Sequence, residues 1–154
     1  SAGGTDTVYA GAGVDHIMTL GNATVYAGSG FTEFTDEGTA QRGTKVVGGS
    51  GVTEMTSGLG NDTFIGGSGT SFMTDSGAGG HVAFQFDKGI AGIDIVTGFN
   101  AATDSIRVTT RSEGWAAFQG HITVVGGSSF VDLAGGTRIE FVGVTNLSSS
   151  DFRG

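Results

Sequence analysis

Thr7-Val8-Tyr9-Ala10-Gly11-Ala12-Gly13 returns as Thr24-Val25-Tyr26-Ala27-Gly28-Ser29-Gly30, then as Lys45-Val46-Val47-Gly48-Gly49-Ser50-Gly51, and again as Thr63-Phe64-Ile65-Gly66-Gly67-Ser68-Gly69. A second phrase is interleaved with the first: Val14-Asp15-His16-Ile17, Phe31-Thr32-Glu33-Phe34, Val52-Thr53-Glu54-Met55 and Thr70-Ser71-Phe72-Met73. The inward apolar residue of each unit is Val8, Ile17, Val25, Phe34, Val46, Met55, Phe64 and Met73. Within the first phrase successive steps are 17, 21 and 18 residues, and within the second they are again 17, 21 and 18. Two independent series that share one insertion point to a coil of about eighteen residues per turn, with two short strands in each turn.

Strands of three or four residues, bounded by Gly-rich turns, suit an all-β fold of the parallel β-roll or β-solenoid kind. An ordinary antiparallel sandwich is the alternative. In the solenoid each strand pairs with the one a full turn away, about 4.8 Å along the axis, so four turns give a rod roughly 20 Å long. Alternation puts Val8 and its equivalents inside and their neighbours outside. The extra residues fall around Thr39-Ala40-Gln41-Arg42-Gly43, read as a surface bulge. Glycine at fixed intervals marks tight turns that need positive φ.

Composition supports this reading. The 154 residues include 31 glycines and no proline, which excludes collagen; plentiful Val, Ile and Phe argue against a disordered linker. A net charge of −8 leaves nothing to neutralise a row of phosphates, so a nucleic-acid partner is excluded. An acidic, Asp-rich chain is better placed to hold hard cations. No run of eighteen apolar residues exists to span a membrane. Ser1-Ala2-Gly3-Gly4 has neither the basic nor the apolar region of a signal peptide, and the absence of cysteine rules out disulfide stapling.

The pattern changes after Gly80, which divides the chain into repeats over 1–80 and a non-repetitive, β-rich C-terminal cap over 81–154. His81–Phe86, Ile93–Val96 and Asp104–Val108 read as strands, and Ser112–Gln119 as a short helical turn. Ile122–Val125, Ser129–Leu133 and Arg138–Val142 read as a meander, with Ala134-Gly135-Gly136-Thr137 as a hairpin turn. Such a cap closes one end of the coil, as solenoids require.

Gly11-Ala12-Gly13-Val14-Asp15-His16-Ile17 and Gly58-Leu59-Gly60-Asn61-Asp62-Thr63-Phe64 match the G-x-G-x-D-x-U phrase of calcium-binding repeats, and Gly4-Thr5-Asp6-Thr7-Val8 matches its second half. In these stretches the chain resembles the RTX (haemolysin-type calcium-binding repeat) family. Gly92-Ile93-Asp94-Ile95-Val96-Thr97-Gly98-Phe99-Asn100 with Asp104-Ser105-Ile106 is similar to the segment that follows the repeats in those proteins. Gly136–Leu147, closing on Asp151-Phe152, is similar to their terminal stretch. The resemblance implies a bacterial protein that reaches the cell surface or the extracellular medium by type I secretion, read from the C-terminus. It also implies calcium ions between successive coils, each taking Asp side chains and backbone carbonyls.

On that resemblance the metal candidates are Asp6, Asp15 and Asp62, with Asp94 and Asp104 as lesser ones. Aligned by repeat, one column reads Asp6, Ala23, Thr44, Asp62 and the other Asp15, Thr32, Thr53, Ser71, so no two stacked coils both supply Asp. Calcium wants six to eight oxygens. Asp at a Gly-rich turn is equally a turn former, and Thr or Ser in its place bonds backbone groups of the turn. These columns describe a roll that has exchanged most of its calcium for hydrogen bonds, with few or weak calcium sites and little change in melting on adding EGTA.

Tyr9, Tyr26, Val47 and Ile65 recur beside the inward residues, one per coil, as an outward contact stripe. Either the cap or a loop folds over it, or another subunit or the rest of a larger protein does. Thr7, Thr24 and Thr63 form a neighbouring column that Lys45 interrupts, and Thr35, Thr56 and Thr74 form another; such ladders also fit ice binding. Catalysis finds no support: His16, His81 and His121 are isolated, and no Ser nucleophile elbow occurs. The repeat is already running at Thr5, so the N-terminal edge invites another strand, from a longer chain or a head-to-tail neighbour.

The expectation is therefore a secreted, non-enzymatic structural protein of surface layer, filament or adhesin type that assembles through its open edge and stripe. The alternatives are a calcium-responsive secretion, folding or polymer-binding module of a larger secreted enzyme and, behind it, a glycan- or ice-binding module.

Overall fold

The computed structural model describes residues 5–39, 42–108 and 114–152. One sheet is wholly parallel, in the order β1 (Asp6–Tyr9), β3 (Ala23–Tyr26), β5 (Lys45–Val47), β7 (Asn61–Ile65), β9 (His81–Phe86) and β11 (Ser105–Val108). The other runs β2 (Val14–Thr19), β4 (Phe31–Asp36), β6 (Val52–Thr56), β8 (Thr70–Thr74), β10 (Ile93–Thr97) and β14 (Arg138–Phe141) in parallel. Then β13 (Ser128–Asp132) and β12 (Ile122–Val125) add antiparallel. The chain alternates between the sheets, which makes a β-solenoid of about five turns.

The register follows the repeats. Val8 pairs with Val25, Val25 with Val46 and Val46 with Phe64. In the second sheet Ile17 pairs with Phe34, Phe34 with Met55 and Met55 with Met73. The 21-residue step is absorbed between β4 and β5 without a slip. At that bulge Arg42 N donates to Thr39 O at 2.9 Å, while Ala40 and Gln41 lie outside the described residues.

The glycines of the repeats serve a different purpose from the one their spacing suggests. None of the Gly11, Gly13, Gly28, Gly30, Gly49 or Gly51 set has positive φ. A Cβ on Gly28 would sit 1.9 Å from Gly11 O, and one on Gly51 1.9 Å from Gly30 O. These turns stack backbone on backbone, and glycine is required by that close approach. Positive φ occurs elsewhere, as at Gly135 and Gly136 in the hairpin turn between β13 and β14.

The coil does not stop at Gly80. β9 pairs with β7, β10 with β8 and β11 with β9, all in parallel, so the strands after Gly80 add to the stack before the cap begins. The signal is lost there because the turns change chemistry. Asp87 accepts from Gly89 N at 2.8 Å and Asn100 from Ala102 N at 3.1 Å, so side-chain-capped turns replace G-x-G.

What closes the coil is the short helix α1 (Gly114–Gln119), of the expected position, and the β12–β14 meander; Ser112 and Glu113 lie outside the described residues. The core is apolar from end to end. Val25, Phe34, Val46, Met55, Phe64 and Met73 are buried, and Val8 and Ile17 of the first coil are half-buried. An edge-to-face run of rings links Phe34, Phe64 and Phe84 along the axis, and Phe99, Phe141, Phe86 and Phe118 carry it into the cap.

Candidate functional site

Most of the buried carboxylates gather where the chain turns between sheets. The strand register extends the first column to Asp6, Ala23, Thr44, Asp62, Val82, Asp104 and the second to Asp15, Thr32, Thr53, Ser71, Asp94, Ile139. Asp94 and Asp104, the lesser candidates by sequence, are thus in column with the repeats. A third column, which the repeat phrases do not mark, lies at the end of the second sheet: Thr19, Asp36, Ser57, Asp75, Gly98.

The turn role of the columns is visible in a recurring bond from the amide four residues earlier. Gly11 N donates to Asp15 at 3.0 Å, Gly49 N to Thr53 at 3.5 Å, Gly58 N to Asp62 at 3.2 Å, Gly67 N to Ser71 at 3.3 Å and Asn100 N to Asp104 at 2.9 Å. Thr53 and Ser71 therefore replace Asp as turn acceptors, as their positions suggest. Thr32 does not: its buried hydroxyl has no partner. Thr44 bonds the Thr19 hydroxyl at 3.1 Å; the residue four before it, Ala40, lies outside the described residues. Asp6 is exposed on β1.

No two aspartates stack within a column, but they meet across columns. Asp62 (1% exposed) and Asp36 (3% exposed) meet at Gly58, whose amide donates to Asp62 Oδ2 at 3.2 Å and where a Cβ would stand 3.3 Å from Asp36 Oδ2. Burial and that neighbouring charge lift the Asp62 carboxyl to about 6, against bonds from Thr44 N (2.7 Å) and Gly58 N that lower it. Asp36 Oδ1 accepts from Thr19 Oγ1 and Gly38 N, each at 3.0 Å, while its buried Oδ2 has no partner.

The hydrogen-bonding of the individual carboxylates recurs two coils later. Asp75 accepts from Ser57 Oγ and Gly77 N, each at 3.0 Å, and Asp104 accepts from Val82 N at 3.0 Å and from Asn100 N. Burial raises the Asp104 pKa, and the Asp75 charge adds to the rise.

Asp94 is a separate case. It is 1% exposed, its Oδ1 has no partner, and burial lifts its pKa to about 7 against a bond from Ser71. A Cβ on Gly66 would fall within 2.5 Å of both its oxygens, so only glycine leaves room for this carboxylate.

The residues present fit a hard cation at Asp94 and at the Asp36–Asp62 edge, because each has an orphaned, buried carboxylate oxygen beside a glycine-cleared space. Asp6 is exposed and Asp15 half-buried, so neither offers an orphaned, buried oxygen. Among the described residues no cluster of three or more His, Cys, Asp or Glu side chains forms.

The outward stripe forms in register: Tyr9, Tyr26, Val47 and Ile65 pair in turn. The two tyrosine rings stack at 5.0 Å and 9°. Tyr9 is 75% exposed, and Val47 and Ile65 are half-buried. A second apolar face escaped the sequence reading. Val14, Phe31, Val52, Thr70 and Ile93 align on the outside of the second sheet, beside the exposed Phe72. The signal was the apolar first residue of the second phrase, three positions before an inward one and hence on the opposite face.

The histidines stay apart. His16 pairs with Glu33 at 2.5 Å on the outer face of the second sheet, His81 Nδ1 contacts Thr103 O at 3.0 Å in the first sheet, and His121 follows α1. No helix among the described residues is long and apolar enough to cross a membrane. No family model matches the chain, and no curated protein matches it in sequence.

Proposed function

We propose that this chain is a structural, assembly-forming β-solenoid of a bacterial cell surface or extracellular matrix, in which the first coil is the contact surface. The supporting observation is the concentration of exposed apolar residues on that coil. Tyr9, Val14, Met18 and Leu20 are 66–75% exposed, and β1 and β2 each leave one hydrogen-bonding edge uncovered by any described strand. Unpaired strand edges flanked by large apolar side chains recruit further strands. The contact is mechanical, extending both sheets while burying the half-exposed Val8 and Ile17.

Light scattering after size exclusion, with negative-stain microscopy, tests this directly. The native chain forms dimers or longer particles whose size grows with concentration, and Tyr9→Lys combined with Val14→Lys returns it to a monomer with unchanged circular dichroism. A native chain that stays monomeric at high concentration would overturn the reading.

A second reading, a calcium-responsive module of a larger secreted protein, is favoured by one observation: the orphaned Asp94 Oδ1 facing Gly66. There Asp94 would hold the ion with turn carbonyls, and the ion would neutralise a buried charge that the coil otherwise leaves uncompensated.

A further inference from the structure

The two sheets present unlike outer faces, and the end-on contact uses neither of them beyond the first coil. None of the outward strand positions of the first sheet holds a carboxylate, although the chain has 15 acidic residues. The outer face of the second sheet carries Glu33, Glu54 and Glu140.

On that second face like charges stand side by side. Glu33 and Glu54 are register partners on adjacent strands, an opposition that costs stability. His16 pairs with Glu33, whereas Glu54 is exposed and has no ion pair among the described residues. The first sheet holds the counterpart. Lys45 is exposed there, in the column of Thr7, Thr24 and Thr63.

The order of the columns matches as well as their charge. On the first sheet the apolar stripe follows the polar column by two residues, Tyr26 after Thr24 and Val47 after Lys45. On the second sheet it precedes by two, Phe31 before Glu33 and Val52 before Glu54. The chain runs out along one sheet and back along the other, so the second sheet of a neighbour laid over the first sheet runs antiparallel to it. That reversal superposes the two orders. Tyr9 falls opposite Val14, Tyr26 opposite Phe31, Val47 opposite Val52 and Lys45 opposite Glu54. In the fourth coil Ile65 falls opposite Thr70, beside Phe72. Each pair belongs to one coil, so the copies need no axial offset, and the strand spacing of about 4.8 Å is common to both faces. Tyr26 is 37% exposed and Val52 38%, so both stripes are open to contact.

We infer that the outer face of the first sheet docks on the outer face of the second sheet of another copy of this chain, with Lys45 meeting Glu54 beside the two apolar stripes. A second copy is the occupant because the faces complement each other in charge, column order and spacing. The relation is heterologous and does not close, so repetition extends a row of chains sideways, at right angles to the coil axis. Six strands make the face of the first sheet about 29 Å long, at the low end for a specific interface. A single pair is therefore weak, and a row gains strength because its chains use both faces. This contact does not depend on the end-on one. Tyr9→Lys with Val14→Lys disrupts both, since these residues head the two stripes and also flank the open edge.

The absence of cysteine permits a clean cross-linking test. Val47→Cys chains are mixed with Val52→Cys chains and treated with a short thiol-to-thiol cross-linker; both positions lie on the third coil, away from the open edge. The mixed product is expected well above the half share that random collision gives. Lys45→Glu and Glu54→Lys each raise the concentration needed for association about tenfold in light scattering, and the two changes in one chain restore it. Both residues are exposed, so circular dichroism stays unchanged.

A random share of mixed product, or a double variant no better than the single ones, would overturn the inference. Filaments of single-chain width with a random share leave only the end-on contact. Mixed cross-links in a chain that forms no filament leave only the sideways one.

Discussion

Asp36 and Asp62, both almost wholly buried, meet at Gly58: its amide donates to Asp62 Oδ2 at 3.2 Å, and a Cβ there would stand 3.3 Å from Asp36 Oδ2. Burial above all, with the Asp36 charge adding to it, lifts the Asp62 carboxyl to about 6. In EGTA at pH 8, Asp36→Asn removes one of two buried like charges while its amide NH₂ can donate toward Asp62. The variant is expected to be more stable than the native chain by about 1 kcal/mol. Urea unfolding in EGTA measures it, and a loss of stability of that size would contradict the expectation.

Asp94 sets the pH dependence of the calcium-free coil. Its folded pKa of about 7 stands above the ordinary carboxylate value of 3.8, because burial disfavours the charged form, so between these values the folded chain binds more protons than the unfolded one. Stability contributed by this group is complete below pH 4 and is lost as pH rises through 7. That rise corresponds to at most about 4 kcal/mol. Asp94→Asn in EGTA should therefore raise Tm at pH 8 and change it little at pH 4. Equal shifts at both pH values would show that the side chain is not held neutral by burial.

Much of this architecture was legible because the repeats obey stacking geometry. The shared 17, 21 and 18 steps could arise only if Val8, Val25, Val46 and Phe64 stack in one column and Ile17, Phe34, Met55 and Met73 in another, as they do. The repeat phrase ends at Gly80 although the coil continues, because the later turns are capped by Asp87 and Asn100 side chains and carry no G-x-G. The site was harder to see. Reading down a column cannot show that Asp36 meets Asp62, since that contact joins the end of one strand to the start of another across the turn. Asp36 stands where the next coil has Ser57, so no repeat of residue type announces it.

The repeat glycines make a paired prediction. Gly51→Ala places a Cβ 1.9 Å from Gly30 O, a backbone atom that cannot swing aside, whereas Gly11 has nothing within 4 Å of its Cβ position. Gly51→Ala is expected to cost several kcal/mol, in the range of severe core lesions, and Gly11→Ala to stay within about 0.5 kcal/mol of the native chain. Urea unfolding of the two variants side by side checks this. Similar losses at both positions would mean that glycine serves the turns through conformation and not through close stacking.

Thr32 offers a test of column chemistry free of charge and metal. It sits between Asp15 and Thr53, is 0% exposed, and its hydroxyl finds no acceptor or donor. Burying a hydroxyl without a partner costs about 1–3 kcal/mol. Valine has nearly the same shape and an equal liking for strands, and it carries no group to satisfy. Thr32→Val is accordingly expected to stabilise the coil by about 1 kcal/mol. The neighbouring Thr53→Val should behave in the opposite sense, since it removes the acceptor that Gly49 N reaches at 3.5 Å. That bond is long, so its loss costs less than about 1 kcal/mol, and the sign of the difference between the two variants is the quantity to measure. If Thr32→Val destabilises as much as Thr53→Val, the Thr32 hydroxyl has a partner in solution and the column is more fully hydrogen-bonded than its geometry indicates.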